Sequence, residues 1–350
     1  MQDSPLPDTQ VAQAARLTGM GALPATPSAA SIPGSLHAPV PSVDKAAMPR
    51  GYGVEWQTWL LIVAVYASWV ALILGYRAMP ASVSSALLIV VTSWYMSLQH
   101  ELLHGHPTRS RSLNRLLGLL PISAWYPYDV YRDSHLAHHR DELLTTPGVD
   151  PEGNYVLAQD YANMSPTQRA LGWANRTVAG RLLLGPGLTI VQVWSDIFTG
   201  PRKRGLASVR MWSLHLILLI ALLWWVHHQS GIKPLHYLFG VAYPALALAM
   251  LRSFYEHRPA FVPAHRIVIN EASLPWRLLY LNNNYHAVHH EIPSLPWYRI
   301  PSAFRADREG FLQRNGGFRL PGYGHVLRHH VFKPIDSPVH PGFDAPTTYV

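Results

Sequence analysis

The chain contains no cysteine. That excludes disulfides, thiolate metal ligands and cysteine-held iron–sulfur centres. Charge is scarce too. Asp, Glu, Lys and Arg make up 14% of the 350 residues, against 49% hydrophobic, where soluble domains carry about 25% charged residues. No glycine-rich dinucleotide fingerprint is present, so no flavin or nicotinamide fold is expected. The first residues lack the continuous apolar stretch of a signal peptide. What the chain has in excess is histidine, twenty copies, together with twelve Trp and seventeen Tyr. The net charge is +8, which by itself would suit nucleic acid, anionic lipid or an acidic protein.

Residues 1–50 hold eight Pro with many Ala and Ser and no apolar period, which reads as a disordered leader. Four stretches then approach the roughly 20 apolar residues a bilayer needs. They are Trp56 to Tyr76, Ala81 to Leu98, Met211 to Val226 and Leu235 to Leu251, the last with a kink expected at Pro244. Short connections join them as two helical hairpins. Lys and Arg number twelve in residues 101–211 and eleven in 252–350, but one in each short connection, Arg77 and Lys233. The positive-inside rule therefore expects both termini and the long middle segment in the cytoplasm. Nucleic acid is then not needed to explain the basic excess, which suits lipid headgroups and an acidic electron carrier. Two shorter apolar stretches, Leu116 to Tyr131 and Val178 to Trp194, are expected to lie on the membrane as interfacial helices.

Three histidine clusters follow the same topology to one face. The first is His100-Glu-Leu-Leu-His104, where the second span leaves the bilayer, with Gly105 and His106 after it. The second is His135-Leu-Ala-His138-His139, and the third His286-Ala-Val-His289-His290. Positions i, i+3 and i+4 of a helix fall within an arc of about 100°, so each HxxHH is expected to aim three imidazoles at one place. Neutral imidazole is the commonest metal ligand. Eight rings, roughly four per ion, suit two redox metals with open positions for dioxygen better than one closed structural zinc. His106 is turned away from His100 and is not expected among the ligands.

The ordered trio HELLH, HLAHH and HAVHH, with two spans between the second and third, resembles the membrane fatty acid desaturase and hydroxylase superfamily. The run Asn282-Asn-Asn-Tyr-His286 and the tail Ile292-Pro-Ser-Leu-Pro-Trp-Tyr298 resemble its bacterial acyl desaturase-like members. The resemblance covers about residues 55–305. It implies an all-α membrane protein with four transmembrane helices in two hairpins and a cytosolic helical di-iron cap, the membrane desaturase-like domain covering 51–310 and a cytosolic C-terminal tail 311–350. It implies two non-haem ferrous ions on His100, His104, His135, His138, His139, His286, His289 and His290, with dioxygen as co-substrate. It also implies an acyl-chain substrate and an external electron donor of ferredoxin or cytochrome b5 type. Family members often carry a further histidine after the last span. His257 stands there, as a ligand or as an interfacial histidine paired with Glu256. Asn282, four residues before His286, would bind iron through water, orient His286, or cap the following helix. The expected reaction is desaturation of a fatty acyl or related lipophilic substrate. Hydroxylation, ketolation and desaturation of a small secondary metabolite are the alternatives within the superfamily.

HELLH is also the HExxH of zinc proteases, with Glu101 as base, but that reading leaves both HxxHH boxes idle. A metal transporter would place its site near the midplane, where these spans offer only His215. The pair His227-His228, the box-like His325…His329-His330 and the haem-like His340-Pro-Gly-Phe343 are expected to be unrelated to the centre. The acids Asp141, Glu142, Asp150 and Glu152 after the second box read as the rim of a substrate tunnel or as a plain solvated loop, the second being the expectation.

Overall fold

The computed structural model describes residues 53–342, with the side chains at 202–204 left aside. The leader 1–50 and Phe343 lie outside the described residues.

Four helices are long and apolar enough to cross a membrane: α1 (Trp56–Leu74), α2 (Ala81–Leu103), α9 (Leu206–Ser230) and α10 (Pro234–Tyr255). Each buries one stripe and leaves the rest outside. In α1 the stripe is Thr58, Leu61, Ile62, Val65, Trp69 and Ile73, spaced as one helical face requires. Outward-facing Leu60, Val63, Ile217, Ile220 and Trp224 are more than half exposed. A helix apolar on all sides needs lipid against its outer face. The chain is a multi-pass, all-α membrane protein.

Three of the spans run a few residues past their expected ends, while α1 stops at Leu74, two short of Tyr76. The second continues through the first histidine cluster, because nothing in Gln99-His-Glu-Leu-Leu breaks a helix, and stops where Gly105 takes φ 92°. The fourth contains a π-helical turn, Tyr237–Ala242, just before Pro244. Proline lacks the N–H that would close the ladder behind it, and the widened turn is how the helix absorbs the loss.

Residues 116–131 do not form the expected single interfacial helix. Helix α3 (Arg111–Gly118) ends, α4 (Tyr128–His138) begins at Pro127, and residues 121–125 between them are buried. A buried loop must satisfy its carbonyls, and here every span helps. Tyr66 of α1 donates to Leu117 O (2.5 Å), and Tyr95 of α2 donates to Gly118 O and Leu120 O (2.7 and 2.5 Å). His215 of α9 meets Ala124 O at 3.0 Å, and Tyr237 of α10 donates to Ile122 O at 2.9 Å. His215 thus has a structural task. We expect Tyr237→Phe to cost about 1–3 kcal/mol, because it strands Ile122 O and leaves the Trp69 indole without its acceptor. Thermal unfolding in detergent measures this, and an unchanged midpoint would show that the latch contributes nothing.

The second stretch also breaks, at Leu184, into α7 (Val178–Leu183) and α8 (Gly185–Arg204), with α5 (Ala158–Asn163) and α6 (Pro166–Asn175) preceding them. Leu184, Leu188, Val191 and Phe198 are exposed along one side of α8, the surface an interfacial helix needs.

The cap is built from short pieces. Strand β1 (Ile269–Asn270) pairs in parallel with β2 (Arg319–Leu320), beside α11 (Leu274–Leu279), α12 (His286–Glu291), α13 (Ile300–Ala306), α14 (Arg308–Arg314) and α15 (Tyr323–His329). Its core gathers Leu144, Ile269, Val288, Ile300, Phe304 and Phe311. Within the expected C-terminal tail, Phe311 joins this core, and Tyr323 and Val326 are buried with Ala272 and Tyr280. Asp336 pairs with Arg176 at 2.8 Å and accepts from Tyr155 at 2.5 Å.

Candidate metal centre

Box one is presented by the end of α2 and box two by α4. Helix α4 is anchored at its start by Asp129, which takes a two-pronged contact from Arg115 and another from Arg132, at 2.7 and 2.8 Å. Box three sits on α12, which is tied to the cap where Ala287 N–H donates to Val268 O (3.0 Å) and Asn270 N–H to Asn284 O (2.8 Å). His257 stands just past α10, bridged to Ile267.

These elements bring nine histidines together in two groups whose nitrogens lie within 4.8 Å of one another. One is His100, His104, His135, His139 and His289; the other is His138, His257, His286 and His290. All eight box histidines take part, and His257 joins the second group, 2.9 Å from His138 and 3.0 Å from His286 between Nε2 atoms. Glu256, the alternative partner for His257, instead faces Arg252 at 3.4 Å and His286 at 3.6 Å.

One expectation needs correction. An HxxHH box does not aim its three rings at one place. In box two, His135 and His139 join one group and His138 the other; in box three, His286 and His290 join one and His289 the other. The helix explains the split. Residue i+4 lies about 40° to one side of i and i+3 about 60° to the other, so i and i+4 converge while i+3 reaches across. The two boxes are crossed: each group takes the pair from one and the single ring from the other.

Asn282 departs from its expected place as well. It precedes α12, has φ 59° and so shares no helical face with His286. Its oxygen accepts from Arg277 (3.0 Å) and its amide donates to Trp297 O (3.0 Å). Its neighbour Asn283 is the one beside the histidines, with Oδ1 3.2 Å from His286 Nδ1 and Nδ2 3.5 Å from His100 Nε2. The run of three asparagines signalled a site, but not which member reaches it.

The loop after box two is not a plain solvated loop. Asp150 is buried and takes His138 Nδ1 at 2.8 Å; Asp141 takes His290 Nδ1 at 2.9 Å and Glu152 takes His135 Nδ1 at 3.1 Å. A carboxylate accepts only N–H, so each of these rings keeps a proton on Nδ1 and turns its Nε2 inward. Of the four acids only Glu142 is exposed.

The donor set fits metal ions. Burial, reinforced by neighbouring histidines, pushes His104, His257, His286, His289 and His290 well below the usual imidazole range, which keeps them as neutral ligands. Burial also pushes His138 down, but Glu152 and Asp150 outweigh it and hold the ring up at about 9, so a proton must leave that ring when a metal binds. His104 Nε2 is buried with no hydrogen-bond partner among the described residues. Several Nε2 pairs stand 2.9–3.1 Å apart. Nitrogens about 2.1 Å from one ion and at right angles lie about 3 Å apart.

The remaining candidates are elsewhere. His106 pairs with Glu55 at 2.8 Å. Glu101, the base of the protease reading, is buried and accepts from the Trp297 backbone at 3.0 Å. His228 stacks on Trp224, His227 faces Ile232 O, and His325 contacts His329 on α15. His340 is buried beside Tyr155, and neither metal group includes it.

Comparison with known proteins agrees with this geometry. The family model described as fatty acid desaturase matches residues 77–321, which takes in all three boxes and His257. No curated protein matches the chain.

Proposed function

The chain belongs to the fatty acid desaturase family, and from that premise we propose that it is an oxygen-dependent di-iron desaturase acting on a fatty acyl or related lipophilic substrate. The observation that carries this reading is the convergence of nine histidines in two adjacent groups at one end of a lipid-facing bundle. Membership of the family makes the chain an oxidoreductase.

The histidines of the first group would hold one iron and those of the second the other. Bound iron supplies the redox chemistry by which dioxygen is activated. The remaining work belongs to the chain. Asp141, Asp150 and Glu152 keep three rings turned inward, and Asn283 does the same for His286. Crossing of the boxes makes α4 and α12 each contribute to both positions. Nine histidines at the edge of a lipid-facing bundle would meet an oily chain that arrives from the membrane, and holding one segment of that chain at the metals is the protein's part in the reaction. We infer that the histidine end and both termini face the cytoplasm, which the excess of Lys and Arg in residues 101–211 and 252–350 supports by the positive-inside rule.

The test is turnover of purified protein with an acyl substrate, dioxygen and a reduced carrier, followed by mass analysis. Loss of two hydrogens supports desaturation. Gain of one oxygen makes the chain a hydroxylase of the same superfamily, and an unaltered lipid pool in every acyl form tried argues against an acyl substrate.

A further inference from the structure

We propose that residues 141–152 form one carboxylate clamp serving both metal positions, with Glu152 governing the five-histidine group and Asp141 and Asp150 the four-histidine group. This rests on the two-metal reading above and goes beyond it in naming what orients the ligands.

Three histidines from two boxes are held by twelve consecutive residues. Glu152 Oε1 stands 3.1 Å from His135 Nδ1, in the first group. Asp150 Oδ1 stands 2.8 Å from His138 Nδ1 and Asp141 Oδ1 2.9 Å from His290 Nδ1, both in the second. The segment does not take its shape from the histidines. Asp150 Oδ2 accepts the Thr145 N–H at 2.9 Å and Oδ1 the Glu152 N–H at 3.0 Å, which closes the loop on itself. Leu144 is fully buried in the cap core, and Arg266 donates to the carbonyls of Leu144 and Glu142, at 3.0 Å each. The carboxylates are therefore positioned in advance, and the rings are oriented by them. Asp141 adds a link across the boxes: it follows box two in sequence but holds a ring of box three. Glu142 lies in the same segment, is exposed and serves as the internal control.

Removing a carboxylate behind a ligating imidazole typically lowers metal affinity 10- to 100-fold. The full-length protein in detergent is stripped, loaded with cobalt(II), and dialysed against chelators of increasing strength, and metal is counted per chain. Wild type and Glu142→Gln should retain two ions over the same range. Asp141→Ala and Glu152→Ala should each release one ion at a 10- to 100-fold weaker chelator and retain the other, whereas Asp150→Ala, which also frees the loop that carries Glu152, should weaken both. Asp141→Asn and Glu152→Gln, which keep an acceptor oxygen, should lie between. Matching thermal unfolding of the metal-free isosteric variants and the metal-free wild type would separate ligand orientation from misfolding. In a His257→Ala background, where only the five-histidine group is complete, Glu152→Ala should weaken the remaining ion and Asp141→Ala should not. Two equally tight ions in every variant overturn the clamp, and so does release of both ions together by each single change. A wild type that never holds two ions overturns the two-metal reading and the clamp with it.

Discussion

His138→Ala, in the second box, is expected to reduce turnover by at least 100-fold, and so are His135→Ala, His139→Ala, His286→Ala, His289→Ala and His290→Ala. Changes that merely reorient a ligand cost 10- to 100-fold, and deleting the ligand removes more. His138 shows why no single position is redundant. It is the one box-two ring in the four-histidine group, 2.9 Å from His257, and Asp150 holds its other nitrogen at 2.8 Å. The comparison that gives the result meaning is with histidines outside the centre. His228→Ala loses a stack on Trp224 at 5.4 Å, and His330→Ala loses a contact with Lys333 O; both should retain activity within about twofold, as surface changes usually do. Turnover per folded chain, with expression checked, measures it. Full activity in His138→Ala, or loss in His228→Ala, contradicts the assignment.

No turnover is expected without a separate electron donor. Reducing dioxygen to two waters takes four electrons, and removing two hydrogens from an alkyl chain supplies two. The other two must come from outside, because the chain has no cysteine for an iron–sulfur centre and no dinucleotide fingerprint. An acidic donor of ferredoxin or cytochrome b5 type would be drawn to the basic end of the bundle, and its encounter rate should fall as salt screens the attraction. Arg111 is exposed there, whereas Arg115 is committed to Asp129. Changing Arg202, Lys203 and Arg204 together to alanine should raise the KM for the donor severalfold at low salt and leave kcat near wild type. Substrate conversion with dioxygen alone would contradict the requirement, and wild-type turnover indifferent to salt would contradict the charged docking.

The sequence made the spans legible because a membrane span is a composition signal, and composition survives without knowledge of packing. The box histidines were legible because three clusters ended up on one face of one topology. What escaped were features set by long-range contact. The fate of 116–131 depends on Tyr66, Tyr95, His215 and Tyr237 reaching its carbonyls from four different helices. Asp141, Asp150 and Glu152 resemble any polar loop until box three arrives beside them. A helix running back from His286 would put Asn282 on the same face, but the positive φ at 282 prevents that helix and Asn283 takes the place beside the ring. The splitting of each HxxHH, by contrast, was available from helical angles alone: a 100° spread is wide enough to serve two centres.

The most direct test of the account is the metal content of protein purified from cells supplied with iron. Two histidine groups within one chain predict about two irons per chain, with activity that follows iron content when metal is removed and restored. One zinc and no iron, with activity retained, would contradict it.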